Sequence, residues 1–458
     1  MKNGNGSFWL DSTREMSQTR ERLEGDVYAD VVIVGGGYTG LWTAYWLKTY
    51  DPGLKIVILE QEYVGFGASG RNGGWISGKT VGMRKNLERP GASHDDLLAM
   101  ERECFNAAFE VEELMRAHGK DIDAHRGGWM QIARTQAELA RLRHHLAEDR
   151  EWGLTEDEVR LLSASETSTR INSPGVTGAL YSPYAVKCNP AKLVYAVAEL
   201  CEDLGVIIYE NTRVDSIDQG DCRTSRGHAH GKSVVMAVEG YTAAMPGLKR
   251  SLLPMISSMI VTEPLGQEQW DEIGWSGYEC ISGAQHVYFY AQRTADDRIA
   301  LGGRGRPYFW NSQTDKNGEM DSGTIDLLEE ITRDLFPSVP MQFAHAWRGI
   351  LGVPRDWSPF IDVDANNHLV RAGGYAGQGV TASYVAGRAV AQILSDYDEQ
   401  PNPTWVRRAP RSWEPEPLRW VGTRVVQALY SGADKVEHKR GGTQTSILGL
   451  AANVVSGR

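Results

Sequence analysis

Residues 30–40 read DVVIVGGGYTG. Val31, Val32, Ile33 and Val34 are consecutive β-branched residues, the pattern of a strand buried on both faces. Gly35, Gly37 and Gly40 fit G-x-G-x-x-G where that strand turns, and apolar Leu41, Ala44, Tyr45 and Leu47 predict a helix over 39–50. In such a unit the first glycine permits the tight turn and the second lets a pyrophosphate approach the backbone. The third packs helix on strand. The helix N-terminus, around Tyr38 and Thr39, then offers N–H groups and a partial positive charge to phosphates. A second strand, KIVILE over 55–60, ends in Glu60, followed by Gln61. A carboxylate there is placed to accept hydrogen bonds from a ribose 2′-OH and would repel a 2′-phosphate, which disfavours NADP.

Outward from this unit lie two more glycine-rich bends. The first is YVGFGASGRNGGWISG over 63–78. Glycines carry an entropic penalty, so a chain holds many together where backbone must lie close to something. Arg71, Asn72 and Trp75 inside the bend favour a ligand-wrapping loop over a linker, and make Gly67, Ala68, Ser69, Gly73 and Gly74 candidate contacts too. The other bend lies in HLVRAGGYAGQGVTASYVAGRAVAQIL over 368–394, again strand, turn and helix, with Gly374, Gly377, Gln378, Gly379, Val380 and Thr381 at the helix start. One pyrophosphate needs only one bend, so three suggest a longer ligand, and FAD fits better than NAD. The helix opening near 379–381 could aim its positive end at the flavin N1–C2=O edge, where reduced flavin carries charge.

The remaining chain sets limits. Its 458 residues favour two intertwined domains, and a net charge of −11 disfavours nucleic acid and mildly favours a cationic small molecule. Cys104, Cys188, Cys201, Cys222 and Cys280 are scattered without C-x-x-C spacing, which fits reduced thiols and no metal site. No signal-like or membrane-spanning apolar run is present, so a soluble, cytoplasmic protein is expected. Residues 1–29 read as a polar, extended lead-in. Helices are predicted over 94–120, over 135–153 (Thr135 and Glu138 as a capping box) and over 189–205, capped by Asn189. KSVVMAVEGYT (232–242) reads as a buried strand ending at Gly240. Residues 254–310 alternate like antiparallel strands, and in HVYFYA His286, Tyr288 and Tyr290 would share one strand face. Tyr288 and Tyr290 could then line an aromatic slot for an amine. His144, His145 and His286 read as structural or surface residues. Residues 400–458 form a tail with two weakly amphipathic stretches and no functional reading.

VVIVGGGYTGLWTA, GFGASGRNGG, AWRGILGVPRDWSPFI and AGGYAGQGVTAS, in this order, resemble the D-amino-acid oxidase-type FAD-dependent oxidoreductases, and within them the gamma-glutamylputrescine oxidase-like branch. The resemblance implies an α/β fold: a Rossmann-like FAD-binding domain of glutathione-reductase type, interleaved with a mostly antiparallel α+β substrate domain. The FAD domain is expected over 30–85, 160–245 and 345–397, the substrate domain over 86–159 and 246–344, and the tail from 398. It implies oxidation of a CH–NH bond by hydride transfer to flavin N5, giving an imine that hydrolyses, with O2 as the expected acceptor. A flavin dehydrogenase, or a D-amino acid, glycine or sarcosine-type oxidase, is the alternative. Ser69, Arg71, Asn72 and Gly73 match the loop beside the flavin, Val214 the strand residue whose backbone meets adenine, and Gly377, Gly379 and Val380 the pyrimidine edge. Trp347 is a candidate wall beside the ring. No histidine or cysteine stands where relatives tether flavin, so FAD is expected to be non-covalent. Leu351 stands where amino-acid-oxidising relatives place an arginine, and Ala300 where sarcosine oxidase-like members place a lysine.

Overall fold

The computed structural model describes residues 1–79, 82, 84–88, 91–303, 305, 307–314, 317–395, 397, 399–409, 411–440 and 443–456. The β-branched run becomes the strand Val27–Val34, which pairs in parallel with Ile56–Leu59 on one side and Gly227–Met236 on the other. Ile207–Tyr209 extends this sheet beyond Ile56–Leu59, and Leu369–Gly373 joins it against Gly227–Met236. The core strands are apolar throughout because both faces are covered. Val31, Ile33, Ile56 and Ile58 pack under the helices Tyr38–Tyr50, Pro190–Asp203 and Gly379–Leu394, while Val32, Val34, Val57 and Leu59 pack with Val214, Cys222 and Ala229.

A second sheet has nine strands in the order Lys2–Asn3, Phe343–Val353, Leu253–Thr262, Ile299–Gly303, Tyr290–Arg293, Cys280–Gly283, Trp129–Ala133, Gly178–Ser182 and Arg160–Ser163. It is antiparallel except at Lys2–Asn3 with Phe343–Val353 and at Cys280–Gly283 with Trp129–Ala133. The chain is therefore the expected α/β architecture, a doubly covered parallel sheet beside a mostly antiparallel one.

Several expectations need correction. The strands Arg160–Ser163, Gly178–Ser182 and Phe343–Val353 belong to the antiparallel sheet, not to the parallel one that their sequence neighbourhood suggests. Their partners lie far away in sequence, for example Met259 opposite Trp347, so local pattern could not allocate them. Residues 1–29, expected as an extended lead-in, contain regular structure. Lys2–Asn3 adds a strand to the sheet, and the helix Phe8–Ser12 buries Trp9 and Leu10. The strand over 232–240 starts earlier and stops at Met236, and Gly240 lies in the 3₁₀ turn Glu239–Ala244. At helix Gln136–Glu151, Thr135 caps as expected, but the Glu138 carboxylate accepts from Arg134 N–H at 2.7 Å rather than closing the box.

The strand expected from His286 begins only at Tyr290. Residues 286–289 are drawn instead towards the tail, whose helices are Leu418–Arg440 and Ile447–Ser456. The backbone N–H groups of His286 and Val287 donate to Asp434 at 2.8 and 2.9 Å, and the His286 ring meets Glu437 at 3.0 Å. The tail is thus docked on the antiparallel sheet. All five cysteines are free and buried.

Candidate active site

The first glycine bend has the geometry its spacing demands. Gly35 sits at φ +113°, where a Cβ would stand 2.6 Å from the Ala237 carbonyl oxygen. A Cβ on Gly40 would stand 2.1 Å from the Gly35 carbonyl oxygen, so this glycine sets the close crossing of helix over strand rather than lining a cavity. The Glu60 carboxylate accepts from Gly36 N–H at 2.7 Å and from Glu62 N–H at 2.9 Å. Burial pushes its pKa up to about 7 against these two donors.

The three bends are stitched to each other. Ser69 Oγ of the second bend accepts from Tyr38 N–H at the first helix turn, at 3.0 Å. Gly65 N–H donates to the Gly36 carbonyl at 3.2 Å. Thr39 Oγ1 and the Tyr375 hydroxyl of the third bend meet at 3.2 Å.

Two cavities open on this junction. One, about 340 Å³, is lined by Gly35, Gly37, Tyr38 and Thr39, by Glu60 and Gln61, by Gly67, Ala68 and Ser69, and by Val214 and Gly240. The other, about 510 Å³, is lined by Ala68, Arg71, Asn72, Gly73 and Trp75, by Gly377, Gln378 and Val380, and by Tyr288 and Tyr290. Ala68 borders both, so the cavities adjoin. The bends at Gly37, Ser69 and Gly377 therefore face one continuous region.

Other predicted residues stand behind the walls. Gly74 (φ +69°) and Gly374 (φ +83°) shape their turns, and Gly379 opens the helix against the Tyr375 ring. Thr381 is buried, and among the described residues its hydroxyl finds no partner. Trp347, expected as a wall, is fully buried in the core. Its Nε1 donates to the Arg71 carbonyl at 3.0 Å and its ring meets Trp9 edge-on. Arg71 borders the larger cavity, but its Nε donates to the Phe66 carbonyl and its guanidinium lies over the Phe66 ring, so it clamps its own loop. Asn72 does the same, donating to Ala68 and Ser69 carbonyls and accepting from Gly74 N–H. Ala300 is buried away from both cavities. Arg348 lies over Phe309 and lines neither.

Tyr290 is fixed between two glycines. A Cβ on Gly302 would stand 2.2 Å from its ring and one on Gly73 2.8 Å, while its hydroxyl meets Ser257 Oγ at 2.7 Å. Tyr288 reaches the same cavity from the irregular segment before the strand. His145, read as a surface residue, is exposed at the rim of this cavity.

Sequence reasoning missed six residues. Ser7 Oγ donates to the Gly70 carbonyl at 2.5 Å and Trp9 Nε1 to the Asn72 carbonyl at 2.9 Å, so the N-terminal segment props the second bend. Glu239, next to Gly240, accepts from Tyr375 N–H at 3.1 Å and ties the third bend to the smaller cavity. Lys79 lines the larger cavity one residue beyond the glycine loop, and Gln131 and Ser282 join it there from two neighbouring strands.

A groove lined by bare backbone and the Glu60 acid, adjoining an aromatic chamber, is the arrangement of a dinucleotide-dependent oxidoreductase. The profile of the family described as "DAO: FAD dependent oxidoreductase" matches residues 30–393, and the chain belongs to that family. It is 27% identical over 384 residues to the gamma-glutamylputrescine oxidoreductase of Escherichia coli (strain K12), covering 82% of this chain and 85% of that protein. It is 24% identical over 444 residues to the probable oxidoreductase OrdL of Haemophilus influenzae, covering 94% and 97%. Among solved structures, glycine oxidase from Geobacillus kaustophilus superposes with a TM-score of 0.68 at 20% identity, covering 83% of this chain and 99% of that one. The cofactor is FAD. The groove suits it, because a side chain at Gly37 would meet Ser69 Oγ at 2.9 Å and fill the space beside the helix N-terminus. Among the described residues no helix is long and apolar enough to cross a membrane.

Proposed function

We propose that this chain oxidises the CH–NH bond of a primary or secondary amine to an imine, which hydrolyses to a carbonyl compound and an amine or ammonia, with O2 as the acceptor and H2O2 as the second product. Bound FAD, held without a covalent tether, supplies the hydride acceptor. The protein's own residues bind and orient: Glu60 would take the ribose hydroxyls, the N–H groups opening helix Tyr38–Tyr50 the pyrophosphate, and the start of helix Gly379–Leu394 the pyrimidine edge.

One observation carries the amine reading. The larger cavity adjoins the nucleotide groove, is walled by Tyr288 and Tyr290, and among the described residues has no carboxylate in its lining. An amine entering it meets no anion that would hold it as an ammonium ion. A neutral amine keeps the lone pair that stabilises the cation left when hydride departs, so the site selects the reactive form without a dedicated base. Leu351 on the same wall offers no anchor to an α-carboxylate. That favours an amine, such as the substrate named for the Escherichia coli relative, over the amino acid named for the glycine oxidase.

A panel of primary and secondary amines, α-amino acids and aminophosphonates, followed in parallel by peroxide formation and by dye reduction, tests this reading. Peroxide with an amine supports the oxidase; dye reduction alone indicates a dehydrogenase; turnover confined to α-amino acids refutes the amine assignment.

A further inference from the structure

The larger cavity has a second pole. Gln131, Ser282 and Tyr290 stand opposite one another on three adjacent strands of the antiparallel sheet, since Ser282 pairs with both. Register partners project from the same face, so these side chains form a row across the cavity floor. Tyr290 marks the flavin-side end, pressed against Gly73. Gln131 marks the other end, two strand spacings or about 10 Å away. Trp129, two residues before Gln131 on the same strand, shares its face, and the Lys79 ammonium lies 4.3 Å from the Trp129 ring centre.

Lys79 is half-buried and borders the cavity. Among the described residues it has no carboxylate within ion-pairing distance. Asp149, which acts on it electrostatically, is paired to Arg84 at 2.8 Å. Ser282, one strand from Gln131, is 3% exposed, and among the described residues its hydroxyl has no partner. A cation beside Trp129 and an orphaned hydroxyl next along the row require a partner from outside the chain.

We propose that Lys79, with Ser282, forms a subsite for an anionic group at the far end of the substrate from the reacting amine. The substrate class is then an amine separated from a carboxylate or phosphonate by a chain of several atoms. An α-amino acid, whose two groups sit on one carbon, cannot reach both poles. The subsite deepens the amine-oxidation reading and rests on it for the position of the reacting nitrogen. Lys79 is a specificity-determining residue, not one that takes part in the chemistry.

The test is titration calorimetry on the FAD-loaded protein with three probe series of graded length: aminoalkanoates, aminoalkylphosphonates and n-alkylamines. The anionic probes should bind about 10–100-fold more tightly than the n-alkylamine of equal length, with the optimum at an intermediate chain length. Lys79→Met should erase that preference while leaving n-alkylamine affinity unchanged, and Lys79→Arg should retain it. Comparing carboxylates with phosphonates identifies which anion the site takes. Equal affinity across the series, absence of binding by both anionic series, a preference surviving Lys79→Met, or an optimum at the α-amino acid overturns the subsite. Flavin bleaching by the same probes is scored separately. Anion preference without bleaching would refute amine oxidation and keep the subsite, whereas bleaching without anion preference would do the reverse.

Discussion

Replacing Glu60 by Gln isolates the acid at the adenosine end of the groove. The wild-type carboxylate already accepts from Gly36 and Glu62 N–H groups, and a carboxylate has about four acceptor positions, so about two remain for ribose hydroxyls. Charge-assisted hydrogen bonds contribute about 1.5–3 kcal/mol, so removing the charge should weaken FAD binding by about 10–100-fold. The substitution also turns one donor, the amide NH2, towards a backbone N–H, which costs about 1–3 kcal/mol of folding stability. Measuring Tm of the apoprotein separates that loss from the loss of affinity. The pH dependence is a second signature. Burial holds the Glu60 carboxyl up at about 7, and ribose donors favour its ionised form, so FAD binding releases a proton. Affinity should therefore rise with pH through neutrality, by at most about tenfold per pH unit, and level off above. In the apoprotein the sign is opposite. A carboxyl raised from its ordinary 4.5 contributes stability below that value and loses it as pH climbs towards 7. Both dependences should flatten in Glu60→Gln. Fluorescence quenching of FAD, titrated with apoprotein across this range, reads the affinity. An unchanged dissociation constant and pH profile would refute the assignment of Glu60 to the ribose.

Three other outcomes are expected. Gly37→Val should remove most bound FAD, lowering affinity about tenfold or more through overpacking against Ser69, while circular dichroism stays native; full flavin content would refute the pyrophosphate placement. Trp9→Ala should cost about 3–5 kcal/mol in urea unfolding and loosen FAD, because it removes a buried indole and its bond to the Asn72 carbonyl; unaltered unfolding and flavin retention would show that the N-terminal segment does not prop the loop. Burial lowers the Lys79 pKa to about 8, with Tyr288, Cys280 and Asp149 acting on it in the opposite sense. Lys79 is thus charged below that value, and anionic-probe affinity should decline above about pH 8; calorimetry showing no decline would remove Lys79 as the anion's partner.

The three bends were legible because each encodes a backbone requirement locally. Gly35 at φ +113° and Gly377 at φ +108° occupy conformations that side-chain-bearing residues rarely adopt, so the glycines themselves report the turns. The buried parallel strands were legible for a similar reason, since burial on both faces writes an unbroken apolar run. What failed depended on partners remote in sequence. Lys2–Asn3 is polar, and nothing near it reveals that it pairs with His345 and Ala346. The alternation in HVYFYA suggests a strand, but Asp434 captures the N–H groups of His286 and Val287. Trp347 reads as a cavity wall until Trp9 and the Arg71 carbonyl enclose it. Lys79 looks like an ordinary loop lysine, because its cavity exists only once the loop meets the row from Gln131 to Tyr290.

The central claim is that one flavin nucleotide spans the two adjoining cavities and accepts hydride from an amine held in the larger. The visible spectrum of the FAD-reconstituted protein under anaerobic conditions, recorded as amine is added, tests it most directly. The account predicts retained yellow flavin that bleaches with an amine bearing a distant anion and recolours when air is admitted. A protein that takes up no FAD, or whose flavin stays oxidised with every amine of the series, would contradict it.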